Sequence, residues 1–374
     1  MLTRCVSRRI SWALCSRCVW RIYILWATIL VPLFLCSTAT RYELQRIVEL
    51  VALFFMLDFE NYVKSPLNYT GNKFRILPQI RPHFPRRIGT MVDLFCGGAT
   101  VGLNTPCERV IFIDNNPFVV NLLQYLSTCQ FDTLLANLEQ LIAHYHLSYS
   151  ASQSYSYFFN QQDQTVNRNN GLKAFNQQSY YLLREDYNAL LDKETEHANL
   201  LLYLLIVYGF NNDVRFTRDH RFNLPAGKTD LNRNNIKKLR DYIERVQAIN
   251  AEFLCGDFRH DHIHNTILQS DFVYMDPPYL ITDATYNESG RWGTTAEQDL
   301  LHLIDELLER QTPFALSNVI SKGEKVNVPL LEWQHAHQEE TQIIDVNYHY
   351  RGAYYNKKER AGEREILIIP RYNA

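Results

Sequence analysis

TMVDLFCGGATVG, residues Thr90 to Gly102, decides how the chain is read. A short apolar run ends on an acid and an aromatic ring, then meets Cys96-Gly97-Gly98. That is a strand entering a glycine turn, with a helix start after it. In a doubly wound sheet such a turn lets a cofactor come close to the backbone. Gly-Gly turns are common, and a plain tight turn fits these residues equally well. The spacing does not match G-x-G-x-x-G, so a dinucleotide is not favoured. A second strand, Val110 to Ile113 (VIFI), ends at Asp114. A strand-end acid at this distance can accept hydrogen bonds from ribose hydroxyls. The same acid also reads as a helix N-cap, since DNNP is a good cap sequence. Glycine turn and acid together indicate a nucleoside cofactor.

Working outward, Pro117 to Leu126 and residues 131–146 carry apolar side chains at helical spacing. Residues 150–180 shift to Ser, Gln, Asn and Tyr without periodicity and read as an inserted loop region, and 180–208 read as helix again. Asn211 to Arg240 is the most basic segment, with eight Lys/Arg against three Asp. Phe272–Met275 is a further strand, 296–310 an amphipathic helix, and Phe314–Asn318 and Glu365–Ile369 the last strands. Strands alternating with helices predict a mostly parallel α/β sheet. The stretch between the second strand and Phe272 is too long for a crossover and should form a separate lobe.

The second informative stretch is FVYMDPPYL, Phe272 to Leu280. Proline cannot continue a central strand, because it has no N–H to donate. The strand therefore stops and presents Asp276 and Tyr279 in a stiff, exposed turn. A carboxylate and a proline-fixed carbonyl can both accept hydrogens from one –NH₂ group, while a ring beside them stacks on a base. Such a site suits the exocyclic amine of a nucleobase, whose lone pair is otherwise delocalised. A base held there must have left the duplex stack. Read blandly, DPPY is only a proline-rich turn with an exposed acid.

The totals are consistent with a globular enzyme and point to no partner. The chain has 374 residues, a formal net charge of −2 and 46% hydrophobic content. Any basic surface must be local. Of 8 Cys, Cys96, Cys107, Cys129 and Cys255 are scattered without metal-type spacing and read as reduced core thiols; Cys15-x-x-Cys18 has no second pair near it. No metal is expected. Residues 1–21 hold five Arg and no acid, and Ile22 to Thr40 are uncharged, as in a signal anchor. That topology would send a nucleotide-dependent enzyme across the membrane. Residues 1–55 are therefore expected not to belong to the working protein, with Met56 as a natural start and a cytoplasmic location.

The chain resembles the Dam-like class of N6-adenine DNA methyltransferases. The resemblance rests on SPLNYTGNKFRILPQI (Ser65 to Ile80), VDLFCGGATVG, FIDNNP, GFNNDVRFTRDHRFNLPAGK (Gly209 to Lys228), FLCGDF (Phe253 to Phe258), DPPY and the terminal EREILI. It covers nearly all of residues 60–370. It implies a Rossmann-like, S-adenosyl-L-methionine-dependent α/β methyltransferase sheet with an inserted, mainly helical target-recognition domain. The catalytic domain would comprise 56–148 and 250–374, and the insert 149–249.

The resemblance also implies site residues. Tyr69, Gly71, Lys73, Phe95, Gly97, Gly98, Asp114, Asp257 and Phe258 would bind the cofactor, with Asn72 standing where the family usually has Gly. Asp276, Pro277 and Tyr279 would be catalytic. Arg215, Arg221, Asn223 and Lys228 would contact double-stranded DNA, Arg and Asn reading base edges and Lys taking phosphate. Leu280 to Gly293, with Tyr286 and Trp292, could close over a flipped base. The implied role is modification beside a cognate restriction endonuclease. Kept open are methylation of RNA adenine, cytosine N4 or a protein amide, a non-catalytic DNA-binding relative, and a membrane-anchored protein using residues 22–40.

Overall fold

Strand order explains where a site can form. In the computed structural model, which describes residues 61–69, 71–162, 168–281, 292–346 and 363–372, eight strands make one sheet. They are β1 (Thr90–Leu94), β2 (Arg109–Asp114), β3 (Ala251–Cys255), β4 (Phe272–Met275), β5 (Phe314–Lys322), β6 (Lys325–Val326), β7 (Thr341–Asp345) and β8 (Arg364–Pro370). The order is β3-β2-β1-β4-β5-β8-β7, with β6 folded back on β5. The first five are parallel; β8 runs antiparallel to both β5 and β7. From β1 the chain steps to β2 and β3 on one side, and from β4 to β5 on the other. The crevice between the ends of β1 and β4 is thus a topological switch point, the place where open α/β sheets bind ligands.

The central strands are buried on both faces, as parallel strands must be when helices cover both sides. Alternate residues serve opposite cores. Met91, Val110, Phe112, Phe272 and Tyr274 face one, while Val92, Leu94, Ile111, Val273 and Met275 face the other. The first core is closed by α1 (Leu77–Ile80), α2 (Pro117–Thr128), α3 (Phe131–His144), α5 (Lys173–Ala189), α6 (Glu196–Tyr208) and α7 (Arg233–Val246); the short α4 (Tyr155–Phe159) lies between α3 and α5 in sequence. The second is closed by α8 (Asp261–Leu268), α9 (Thr294–Glu309) and α10 (Val328–Ala336). Helix α6 is buried on every side from Ala198 to Tyr208, as its unbroken apolar sequence demands. Residues 61–374 form one compact unit.

Several sequence expectations need correction. Residues 150–180 are not loop throughout, because α5 begins at Lys173. Its buried stripe is Asn176, Tyr180, Leu183 and Tyr187, so the helical period is carried mainly by an asparagine and two tyrosines, with a single leucine among them. The helix expected over 180–208 is two helices, broken before Thr195, whose side chain caps α6 by accepting from Ala198 N. Strands β3 and β7 lie at the sheet edges and carry few fully buried residues, so their pattern was too weak to read. Of the four scattered cysteines only Cys96 is a core thiol; Cys255 is exposed. The expectations for residues 1–55 and for Tyr286 fall outside the described residues. Among those residues no helix is long and apolar enough to cross a membrane.

Asp93 has no place in the expected site yet lies buried in β1. Its carboxylate accepts from Gly102 N at 2.8 Å, which holds the turn after the glycines. Burial pushes its pKa up to about 8, against the Gly102 bond, with Asp276 and Asp114 adding repulsion. A carboxyl whose pKa is raised by folding stabilises below its unfolded value, and that contribution is lost as pH rises through about 8. Asp93→Asn keeps an acceptor for Gly102 without the charge. It is expected to raise the melting temperature at pH 9 and leave it nearly unchanged at pH 4, read by thermal denaturation across that range.

Candidate active site

The register of β1 on β4 brings two motifs together. Leu94 pairs with Met275, and Asp276 N donates to Leu94 O at 3.4 Å, so the glycine turn and DPPY leave the sheet side by side. Proline ends β4 as expected. The turn is not freely exposed, however: Pro277 is buried, and Asp276 and Tyr279 are half-buried.

Lys73 reaches this point from the amino-terminal segment. Its ammonium, almost fully buried, lies 2.7 Å from Asp276 Oδ2 and 3.9 Å from Glu365 Oε1. It also donates to Gly71 O at 2.9 Å and stands 5.2 Å over the Tyr279 ring. The Tyr279 hydroxyl donates to Asp276 Oδ1 at 3.0 Å and lies 3.4 Å from Glu365 Oε1. Burial raises the pKa of Asp276, while the Lys73 charge and the Tyr279 bond hold it back. Glu365 is raised by burial too, with Lys73 opposing and Asp276 reinforcing. Lys73, expected at the cofactor, lies against the carboxylate of Asp276. Each Asp276 oxygen has one donor and keeps a further lone pair for an incoming amine.

The glycine turn is shaped by its neighbours. Gly97 has φ +48°, and a Cβ on it would lie 2.7 Å from the Tyr69 ring; one on Gly98 would lie 2.8 Å from Ser65 Oγ. Glycine is thus required by the packing of the 65–69 segment on the turn, whatever else the turn binds. Phe95 and Ala99 also have left-handed φ, an uncommon conformation for side chains that size. Asn72 needs no glycine. Its φ is −50° and its side chain accepts from Phe74 N at 2.7 Å, capping the turn that carries Lys73.

Asp114 closes the other side. Its Oδ2 accepts from Gly97 N and its Oδ1 from Asn116 N, both at 2.9 Å. The cap of α2 is Asn116, whose side chain accepts from Phe118 N and Val119 N, so the cap reading of Asp114 is set aside. Burial raises the pKa of Asp114 against these bonds. After β3, Asp257 is gripped by Arg259 at both oxygens (2.8 and 2.6 Å), and that hydrogen-bonded charge lowers its pKa. Phe258 packs edge-on to Phe95 at 5.6 Å, and Trp292 meets Phe95 at 5.4 Å. Burial pushes the Cys96 thiol well up, toward its protonated form.

The four expected DNA contacts divide. Arg215 Nε donates to Asn223 Oδ1 at 2.8 Å across a hairpin closed by the Phe216–Phe222 bridge. Arg221, at the turn, pairs with Glu185 at 3.0 Å on the surface. Lys228 stands at the hairpin base, where its carbonyl accepts from Leu172 N at 3.0 Å. The hairpin is braced by Phe216 stacked on Phe118 of α2 at 4.1 Å. Behind it Asp230 accepts from Ser148 Oγ, Ser150 N and Ser150 Oγ, tying the start and end of the helical region together.

Residues 69–351 match the family described as D12 class N6 adenine-specific DNA methyltransferase. The chain belongs to that family. It is 34% identical over 318 residues to the type II methyltransferase M.FokI of Planomicrobium okeanokoites and 31% identical over 315 residues to the modification methylase StsI of Streptococcus sanguinis. Each alignment covers 83% of this chain and 43% of the relative, so the chain spans less than half the length of these two proteins. A DNA adenine methylase of Haemophilus influenzae is 26% identical over 259 residues, 67% of this chain and 78% of that one.

Within this D12-class chain, sequence reasoning missed three contributors. Glu365 lay in the quoted EREILI, but nothing marked it as facing Lys73. Arg259 follows FLCGDF directly and was legible as a basic residue two positions from Asp257. Glu297 is fully buried in α9 and accepts from Trp292 Nε1 at 2.8 Å and from Asn318 and Asn327, and only the structure brings these together. The packing of Tyr69 on Gly97 can be tested. Gly97→Ala is expected to destabilise by about 1–2 kcal/mol from its left-handed φ alone, and further from the clash with Tyr69. Gly97→Ala with Tyr69→Ala should then cost less than the sum of the single changes, measured by denaturant unfolding.

Proposed function

We propose that this protein transfers a methyl group from S-adenosyl-L-methionine to N6 of adenine in a short double-stranded DNA site. The observation that carries the reading is the half-buried Asp276 beside the buried Pro277 at the switch point, held by Lys73 and Tyr279. The cofactor fits the donor set. Both Asp114 oxygens accept one N–H each and keep lone pairs for ribose hydroxyls, and Phe95 and Phe258 offer apolar walls for a purine. Bound there, S-adenosyl-L-methionine would supply an activated methyl on a sulfonium.

The chain's part is then positioning and charge. Asp276 and the Pro277 carbonyl accept the two amine hydrogens and free the nitrogen lone pair. Tyr279 supplies a face for the base taken from the stack. The Lys73 charge opposes the effect of burial and favours the ionised form of Asp276. The amine sheds one proton after transfer, and Asp276 is the nearest acceptor. Positioning of this kind accounts for much of a bimolecular barrier.

For the architecture we carry the same division: residues 56–148 and 250–374 as the catalytic part and 149–249 as the target-recognition insert. The Arg215–Asn223 hairpin offers the side chains that read guanine and adenine edges. The names of the M.FokI and StsI relatives support a modification role, with a cognate endonuclease acting at the same site.

Modified-base sequencing of DNA from cells expressing the protein is expected to show N6-methyladenine in one short sequence. Asp276→Ala should abolish it while S-adenosylhomocysteine still binds by calorimetry; retained methylation would sink the mechanism. The pH dependence follows from Asp276. Its pKa is raised, so the fraction ionised falls as pH falls through a value above the ordinary carboxylate range. The acid limb of kcat/KM is expected there. Lys73→Met should move that limb to higher pH, because the opposing charge is gone.

A further inference from the structure

A second polar cleft, of about 460 Å³, opens between the segment around Tyr62 and Lys64 and the start of α7. Lys64, Lys237, Lys238, Asn212 and Thr229 line it. Lys237 is paired with Asp241 one turn along the helix. Lys64 and Lys238 are different. Among the described residues no carboxylate lies within ion-pair distance of either. Lys64 rests over the Phe74 ring at 5.2 Å, and Lys238 donates to Asn68 Oδ1 at 2.8 Å. Burial first, and then the charge of Lys64, hold Lys238 below the ordinary lysine range, so the two ammoniums sense each other with no anion between.

The helix below them sharpens the point. Helix α7 has no acid in its first turn and carries Arg233, Lys237, Lys238 and Arg240 in its first eight residues. Cations at a helix amino-terminus oppose its dipole. The Asn232 cap takes the Asn234 and Asn235 N–H groups, so the positive potential comes from side chains. Asp241, paired with Lys237, also lines the cleft; neutral amides and a hydroxyl fill the rest of the wall, and the ring of Tyr62 is occupied by Phe74 and Arg81. Such a lining suits a phosphate with its sugar, and offers no free face for a base.

The cleft is continuous with the catalytic segment. Asn68, which receives Lys238, also donates to Asn212 and stands next to Tyr69, on the stretch that delivers Lys73 to Asp276. We infer that this cleft holds the sugar–phosphate backbone of the DNA, with Lys64 and Lys238 each neutralising one phosphate, as an anchor that reads no sequence. The inference rests on the DNA-methylating function proposed above and names a surface separate from the Arg215–Asn223 hairpin.

The test is binding of the full chain to two labelled 30-base-pair duplexes, one carrying the methylated sequence and one not, over a series of KCl concentrations. Each neutralised phosphate contributes about 0.9 to the slope of log K against log salt. Lys64→Gln, on an exposed residue, should make the slope shallower by about 0.9, and Lys64→Gln with Lys238→Gln by about 1.8. The loss should be equal on both duplexes, with S-adenosylhomocysteine binding unchanged. An unchanged slope for Lys64→Gln, or a loss confined to the methylated sequence, overturns the inference. If the wild-type chain binds neither duplex, the proposed function falls as well. If it binds and methylates while the variants keep its slope, only the cleft assignment falls.

Discussion

One buried ammonium has to serve two half-buried carboxylates at the end of the sheet. Lys73 lies against Asp276 and within reach of Glu365, with the Tyr279 hydroxyl bridging the same acids. Buried ion pairs contribute little net stability, but losing one partner leaves a charge stranded, at a cost of about 3–5 kcal/mol. The arrangement favours the charged form of Asp276 where burial opposes it, which no apolar replacement would do. Much of the local architecture serves that end. The Asn72 cap shapes the turn, Gly71 lends its carbonyl, and β1 sets the height at which Asp276 emerges.

The glycine turn shows how one residue answers several demands. Gly97 is pressed by Tyr69, bonded through its N–H to Asp114, and twisted into left-handed φ. The 65–73 segment, the turn after β1 and the end of β2 are thus a single construction. Asp114 extends it further, because its own carbonyl accepts from Gly256 N at the end of β3. A ligand seated on this edge would touch loops already fixed by one another, which is what preorganisation requires.

Much of this was legible in the amino-acid sequence, for definite reasons. β1, β2 and β4 are central and buried on both faces, so they read as apolar runs, and proline marked the end of β4 unambiguously. Strands β3 and β7 sit at edges, where burial no longer imposes a pattern. Helix α5 hides its period because tyrosine and asparagine do the work of leucine. In the site, DPPY announced itself through a rare residue combination, and the glycine turn became informative only beside the strand-end Asp114. Glu365 did not, since an acid opening an apolar strand is ordinary until the fold sets it opposite a lysine. Lys73 was found in its motif but its contact with Asp276 was not, for sequence distance says nothing about which end of a side chain meets which strand.

The acid-lysine set also draws on parts of the chain made at very different times. Lys73 comes before the first strand, Asp276 follows the fourth, and Glu365 opens the last, which also covers the edge of β5. Contacts so distant along the chain repay their loop-closure entropy only once they are made. Until β8 is in place the lysine has only one of its two acids, and the sheet still has an open flank. Pairing of β8 with β5 and the arrival of the second acid at Lys73 are then one and the same event.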